Sequence, residues 1–350
     1  MTIAAFLHHL ALAAALALLS ATLVRLMIGI GVMDTPDRRK SHTSPTPKGG
    51  GIGIVAAYLA GMYVLYRYAA FSRLADPYFR GVIIASVAIA AVAFLDDLAD
   101  WPFIVKLAAQ ILAALAAIAS GLYVTVFRVP YVGPVDLGWF GIAATLGWIL
   151  FATNAMNFID GLNGLAAGTA LVAALFLAWI AAQQEGWFVY FASLLLAAGL
   201  AGFLPFNFPR ARIFMGDVGS QFCGFMLAVL GVAAARFGTI EMSFLLVPML
   251  LSGVLLDVAF TLIRRAIAGE PLTKPHRSHV YQLAERAGIP APVVAMVHWG
   301  FAAFGGACCL LFVHSPSIYK PLVPLLVLLP QTAWLIVVSR QASRTAIGAW

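Results

Sequence analysis

Three aspartates in five residues, Asp96, Asp97 and Asp100, close an apolar run that extends from Ala85 to Leu95. On a helical continuation Asp96 and Asp100 share a face at i, i+4, and Asp97 lies beside Asp100 at i, i+3. Acids next to an apolar segment are costly unless they are hydrated, paired or bound to a metal. Crowded carboxylates repel, and a hard divalent cation relieves that repulsion. Mg²⁺ suits the pattern because it takes about one or two carboxylates and completes its shell with phosphate oxygens; Mn²⁺ is the alternative ion. A solvated helix end is the plain alternative for these three residues alone. Asp160 and Asp217, in separate polar clusters, weaken that alternative and point to metal-assisted chemistry on phosphates.

The other polar residues gather in the same few stretches. Asn154, Asn157, Asp160 and Asn163 fall within ten residues, and Asn207 lies ten residues before Asp217. Lys106 and Gln110 are one turn apart after the acidic triplet, where Lys106 could pair with Asp97 or Asp100, hold a phosphate, or snorkel to the membrane surface. Gly219 and Ser220 precede an apolar run from Phe222, so backbone N–H groups at that helix start could face an anion. Gly49, Gly50 and Gly51 open another run and suit either the same role or tight packing. His276, Arg277, Ser278 and His279 could be read as a zinc site, but no CxxC or HExxH accompanies them. Anion recognition is preferred, with Arg277 as a bidentate fork and both histidines as donors; an ordinary surface loop is the alternative. Asp257 falls inside an apolar segment, as a functional acid or as the partner of a neighbouring span.

The elements that must position these residues are set by composition. Of 350 residues, 63% are hydrophobic and 10% charged, and mean hydropathy is +0.96. That excludes a soluble globule, a disordered tail and a nucleic-acid-binding domain. Runs long enough to cross a bilayer fall at about 4–30, 50–70, 80–95, 103–126, 139–153, 165–183, 187–206, 221–236, 242–263, 292–314 and 319–339. The expectation is an all-α polytopic integral membrane protein of about 11 transmembrane helices, a single domain over residues 1–350, whose first run is an uncleaved anchor. Cys223, Cys308 and Cys309 lie in apolar runs and imply no disulfide framework.

Basic residues orient the chain. With the N-terminus outside, the inside loops and tail hold thirteen, among them Arg38, Arg39, Lys40, Lys48, Lys274 and Arg277; the outside loops hold six, including Arg67, Arg73, Arg128 and Arg236. The excess satisfies the positive-inside rule. Every polar cluster, from Asp34, Asp37 and His42 onward, then falls on the cytoplasmic side, as one site would require. A transporter is the rival class, but carriers bind near the midplane and between repeats, and no repeat is evident.

Together, Phe94-Leu-Asp-Asp97 with Asp100, Asn154-Ala-Met-Asn-Phe-Ile-Asp-Gly161, and Ile213-Phe-Met-Gly-Asp-Val-Gly-Ser220 with Asn207 resemble the polyprenyl-phosphate N-acetylhexosamine-1-phosphate transferase family. The likeness runs from Asp34 to about Gly288. It implies an enzyme of the bacterial inner membrane, with its site on the cytoplasmic face. The reaction implied moves a sugar 1-phosphate from a UDP-N-acetylhexosamine to undecaprenyl phosphate and releases UMP, the first membrane step of O-antigen or cell-envelope glycan synthesis. The partners implied are those two substrates and the lipid bilayer, with a homodimer allowed and nucleic acid excluded. Matching positions make Asp217 a Mg²⁺ ligand together with Asp97, Asp96 and Asp97 the catalytic pair with Asp160, and Asn154, Asn157 and Asn207 part of the nucleotide and metal surroundings. Lys106 matches a lysine near the phosphates, and His276, Arg277 and His279 belong to the substrate-binding loop. The family often has a second Asp where this chain has Asn163. The loop His276-Arg-Ser-His-Val-Tyr-Gln282 is more similar to the O-antigen-initiating branch, some members of which prefer 6-deoxy sugars such as FucNAc or QuiNAc, than to the muramyl-pentapeptide branch.

Overall fold

The computed structural model describes residues 2–34, 45–68, 76–99, 101–129, 133–236, 242–272 and 276–345. Asp37, Arg38, Arg39, Lys40, His42, Arg73, Asp100 and Lys274, all named above, lie outside the described residues. The helices are α1 (Ile3–Ile30), α2 (Gly51–Tyr68), α3 (Asp76–Ala99), α4 (Phe103–Ala119), α5 (Gly138–Ile159), α6 (Leu165–Gln183) and α7 (Trp187–Asn207). They continue as α8 (Gly216–Arg236), α9 (Leu246–Leu250), α10 (Ser252–Ile267), α11 (Val280–Arg286), α12 (Ala291–His314) and α13 (Leu322–Arg344). Two short antiparallel pairs complete the described elements: β1 (Met33–Asp34) with β2 (Thr46–Pro47), and β3 (Val126–Val129) with β4 (Gly133–Asp136).

Eight of these helices are long and apolar enough to cross a membrane: α1, α3, α5, α6, α7, α8, α12 and α13. The protein is therefore an all-α, multi-pass membrane protein. The other three expected segments hold α2, α4 and the pair α9–α10. The expected span 103–126 is shorter than the pattern suggested. Gly121 takes a left-handed φ of 96°, and its N–H and that of Leu122 close on the carbonyls of Ile118 (2.8 Å) and Ala117 (3.2 Å). Two such bonds end a helix in a Schellman cap, which hydropathy does not register. The expected span 242–263 divides at Leu251 into α9 and α10.

α8 is the axis of the bundle. It packs against α2, α3, α5, α6, α7 and α9, and 94% of its most apolar 18-residue stretch is buried. Glycines permit that approach. A side chain at Gly51 would strike the backbone of Gly219, and one at Gly224 would meet Ala152, Thr153 and Met156 of α5. The three free cysteines, Cys223, Cys308 and Cys309, are buried among these helices.

Candidate active site

α3 runs toward the bundle end at which α8 begins. The break before α8 is a left-handed Gly216 (φ 74°), where an added Cβ would press on the Asp97 carboxylate. α8 thus starts at Gly216, five residues before the expected 221. Its first turn is capped from outside: Asp97 accepts the N–H groups of Asp217 (3.3 Å) and Val218 (3.2 Å). A carboxylate there satisfies orphan donors and lies at the positive end of the helix dipole. The N–H groups expected to face an anion from Gly219 and Ser220 belong instead to the interior of α8. Those of Gly50 and Gly51 bond to the carbonyls of Phe214 and Met215, so the glycine triplet serves packing.

With Asp97 turned to α8, Lys106 meets different acids from those expected. Its ammonium lies 2.5 Å from Asp96 and 3.3 Å from Asp217, while Lys48 takes the remaining side of Asp97 at 3.8 Å. Asp96, 3% exposed, also accepts the Trp101 N–H at 2.8 Å. Both oxygens of Asp217 are held. Asn157 donates to one at 3.0 Å, and Gln221 donates to the other at 3.2 Å. Below them Gln110 donates to Gln221 (3.1 Å) and accepts from Asn154 (2.6 Å), a buried amide network that orients Asp217 from the apolar side.

Asp160 caps the end of α5, and Asn207 closes α7. Asn207 accepts the Gly164 N–H (2.7 Å) and donates to the Ile213 carbonyl (2.9 Å), joining the loops that follow Asp160 and Asn207. It holds those loops together from a place on the cavity lining. Burial raises the Asp160 carboxyl well above the usual range, and Asp217 and Asp97 add to the shift.

These elements enclose a cavity of about 420 Å³ lined by Asp96, Asp97, Lys106, Asn157, Asp160, Asn163, Asn207 and Asp217. Asn154 sits one turn below. The lining also includes Asp34, Lys48, Gln282 and Glu285. Glu285 and Gln221 escaped the sequence reading, although each lies within one helical turn of a residue that reading had singled out, Glu285 at i+3 from Gln282 and Gln221 at i+4 from Asp217.

His276, Arg277 and His279 are off this lining. His279 is buried against Asp257, its Nδ1 3.2 Å from the carboxylate. Arg277 lies 3.5 Å from Glu285. His276 is pushed down to about 4 by burial, with His279, Arg265 and Arg264 adding to the effect. At neutral pH it offers one N–H and no charge.

The lining holds six acidic side chains and two lysines. An oxygen-only donor set of this kind would suit Mg²⁺ or Mn²⁺. Among the described residues no three His, Cys, Asp or Glu side chains form a metal cage of their own. Asp217 and Asp97 would hold such an ion in part, and ligand oxygens would complete its shell.

The sequence model of "Glycosyl transferase family 4" matches residues 79–235, the stretch that carries Asp96, Asp97, Lys106, Asp160 and Asp217. The chain belongs to the polyprenyl-phosphate N-acetylhexosamine-1-phosphate transferase family of these membrane enzymes. It is 33% identical over 264 residues to the "Probable undecaprenyl-phosphate N-acetylglucosaminyl 1-phosphate transferase" of Bacillus subtilis (strain 168), covering 73% of this chain and 70% of that one. It is 32% identical over 305 residues to the "Decaprenyl-phosphate N-acetylglucosaminephosphotransferase" of Mycobacterium leprae (strain TN), covering 79% and 76%. Against the "Phospho-N-acetylmuramoyl-pentapeptide-transferase" of Desulforudis audaxviator (strain MP104C) identity is 34% over 239 residues, covering 61% and 68%.

Proposed function

We propose that this protein transfers a sugar 1-phosphate from a UDP-N-acetylhexosamine to undecaprenyl phosphate at the cytoplasmic face of the bacterial inner membrane. The observation that carries this reading is the pocket lined at the helix ends by Asp96, Asp97, Asp160 and Asp217, with Lys106 bridging Asp96 and Asp217. A carrier would gather its binding acids at mid-helix, whereas these four stand at helix ends.

In the proposed reaction an oxygen of the lipid phosphate bonds to the sugar-bearing phosphorus of the donor. The bond from that phosphorus to the bridging oxygen breaks, and UMP leaves with its electron pair. The products are UMP and undecaprenyl-diphosphate-sugar. A phosphate monoester has a second pKa near ~6, so the nucleophile is largely dianionic at neutral pH and needs little help from a base. Charge crowding is the main barrier. Bound Mg²⁺ would neutralise diphosphate charge and stabilise the leaving phosphate. Lys106 and Lys48 screen the remaining negative charge. Asp96 holds Lys106 in place, Asp97 fixes the start of α8, and Asn157 and Gln221 orient Asp217. In this reading Asp160, on the cavity lining, positions the attacking phosphate.

The relatives' names make UDP-GlcNAc the first donor to test. UDP-FucNAc and UDP-QuiNAc follow, on the wording of the His276–Gln282 loop, and with them an O-antigen pathway. The test is UMP release by purified protein with undecaprenyl phosphate and each donor, with and without Mg²⁺. Release that requires lipid and Mg²⁺ is expected. Folded protein that releases no UMP with any donor would overturn the proposal.

A further inference from the structure

Asp257 sits in the middle of α10, 5% exposed, and is not among the residues that line the active-site pocket. Its carboxylate is nevertheless heavily used. It accepts the backbone N–H of Val280 at 3.0 Å and of Tyr281 at 2.9 Å, with His279 Nδ1 at 3.2 Å. A third donor of this first turn, the His279 N–H, is taken by the Gln282 side chain at 3.3 Å. An acid buried in α10 thus caps α11 from 23 residues away, and a buried carboxylate so fully bonded is stable only while its partners stay in place.

What α11 carries explains why that matters. Gln282 and Glu285 form one wall of the pocket. The Tyr281 hydroxyl donates to the Phe158 carbonyl at 3.0 Å, on the last turn of α5 before Asp160. The Tyr281 phenol also fills the space above Gly161, where any Cβ would strike it. His279 completes the seat, its ring centroid 5.9 Å from both Phe158 and Tyr281. With only seven residues, α11 cannot hold itself in place by its own backbone bonds.

We propose that Asp257 is a positioning residue for the transfer reaction: it seats α11, and through α11 it sets the pocket wall at Gln282 and Glu285 and the turn at Asp160. The inference rests on the proposed function for its kinetic part only. Without the carboxylate, α11 loosens, the donor binds a less defined wall, and the loss falls on KM for the UDP-sugar more than on kcat.

The test compares the full-length protein with Asp257→Asn and Asp257→Glu. Hydrogen exchange needs no activity: in Asp257→Asn the amides of residues 280 and 281 should exchange at least tenfold faster, with those of α8 unchanged. In the UMP-release assay, KM for the UDP-sugar should rise at least tenfold while kcat falls less than threefold, and Asp257→Glu should recover part of the KM. Unchanged exchange at 280 and 281, or an unchanged KM, would overturn the proposal. If wild type released no UMP, the proposed function would fall while exchange still tested the seat. Should Asp257→Asn fail to fold, Tyr281→Phe cuts the next link. A KM raised at least threefold supports the chain of contacts, and an unaltered one overturns it.

Discussion

α8 and α1 are both apolar membrane-length helices, and α1 is the more hydropathic of the two. Yet 94% of the α8 stretch is buried inside the protein and only 22% of the α1 stretch. In lipid, apolarity does not distinguish a central helix from a peripheral one, because the surroundings are as apolar as leucine. Small residues and polar bonds make the difference. α8 carries Gly219, Gly224 and Gly231, each against a neighbouring helix, and Asp217, Ser220 and Gln221 in a hydrogen-bonded network. A side chain at Gly29 of α1 would meet no neighbouring helix within 4 Å, and Leu18 and Leu26 face outward.

The comparison can be broken most sharply at the start of α8. Asp217→Asn should lower UMP release by about a thousandfold or more while the protein still inserts and melts near its usual temperature. Comparable activity in the variant would remove Asp217 from the site. Gly51→Ala comes next, because the added methyl meets the Gly219 backbone, which cannot rotate away. A destabilisation of about 1–3 kcal/mol is expected, read as a lower melting temperature in detergent.

A smaller effect of opposite sign is expected at Asp160. A carboxyl whose folded-state pKa is raised binds more protons when folded, so its ionisation costs stability as pH climbs above its unfolded value of about 4. In EDTA, Asp160→Asn should therefore melt above the parent at pH 7.5, with the gap closing toward pH 4. A variant that melts lower at neutral pH would contradict the raised pKa. The smallest change belongs to the periphery: Leu18→Ala on α1 should shift stability by less than about 0.5 kcal/mol. A larger loss would mean that this face of α1 is covered.

The comparison also marks how far a sequence can be read. The acids Asp96, Asp97, Asp160 and Asp217 stand out because ionisable groups beside apolar runs are costly, and the structure brings all four to one cavity. Eight of the eleven expected spans were legible from their apolar runs, while one proved shorter and another is divided at Leu251. Partner choice was not legible. For Lys106 the spacing offered Asp97, Asp100, a phosphate or the membrane surface; Asp97 is drawn to the α8 N-terminus 120 residues away, and Lys106 bridges Asp96 and Asp217. Asn207 sits among functional residues in sequence and spends both polar groups on Gly164 and Ile213. His279 and Asp257 each looked like a candidate for chemistry, and their contact only exists once α10 and α11 have folded together. Short-range pattern reveals which groups are costly to place; long-range geometry decides what compensates them.

The three buried thiols make the native chain a quiet background for labelling. With Cys223, Cys308 and Cys309 shielded among the helices, a maleimide that cannot cross a bilayer finds no reactive sulfur on the folded surface, so single cysteines can be introduced without first removing any. Placed at Val126 on the β3–β4 hairpin and at Ser343 near the end of α13, both outward-facing, they would report which side of the membrane each end of the bundle occupies in intact cells.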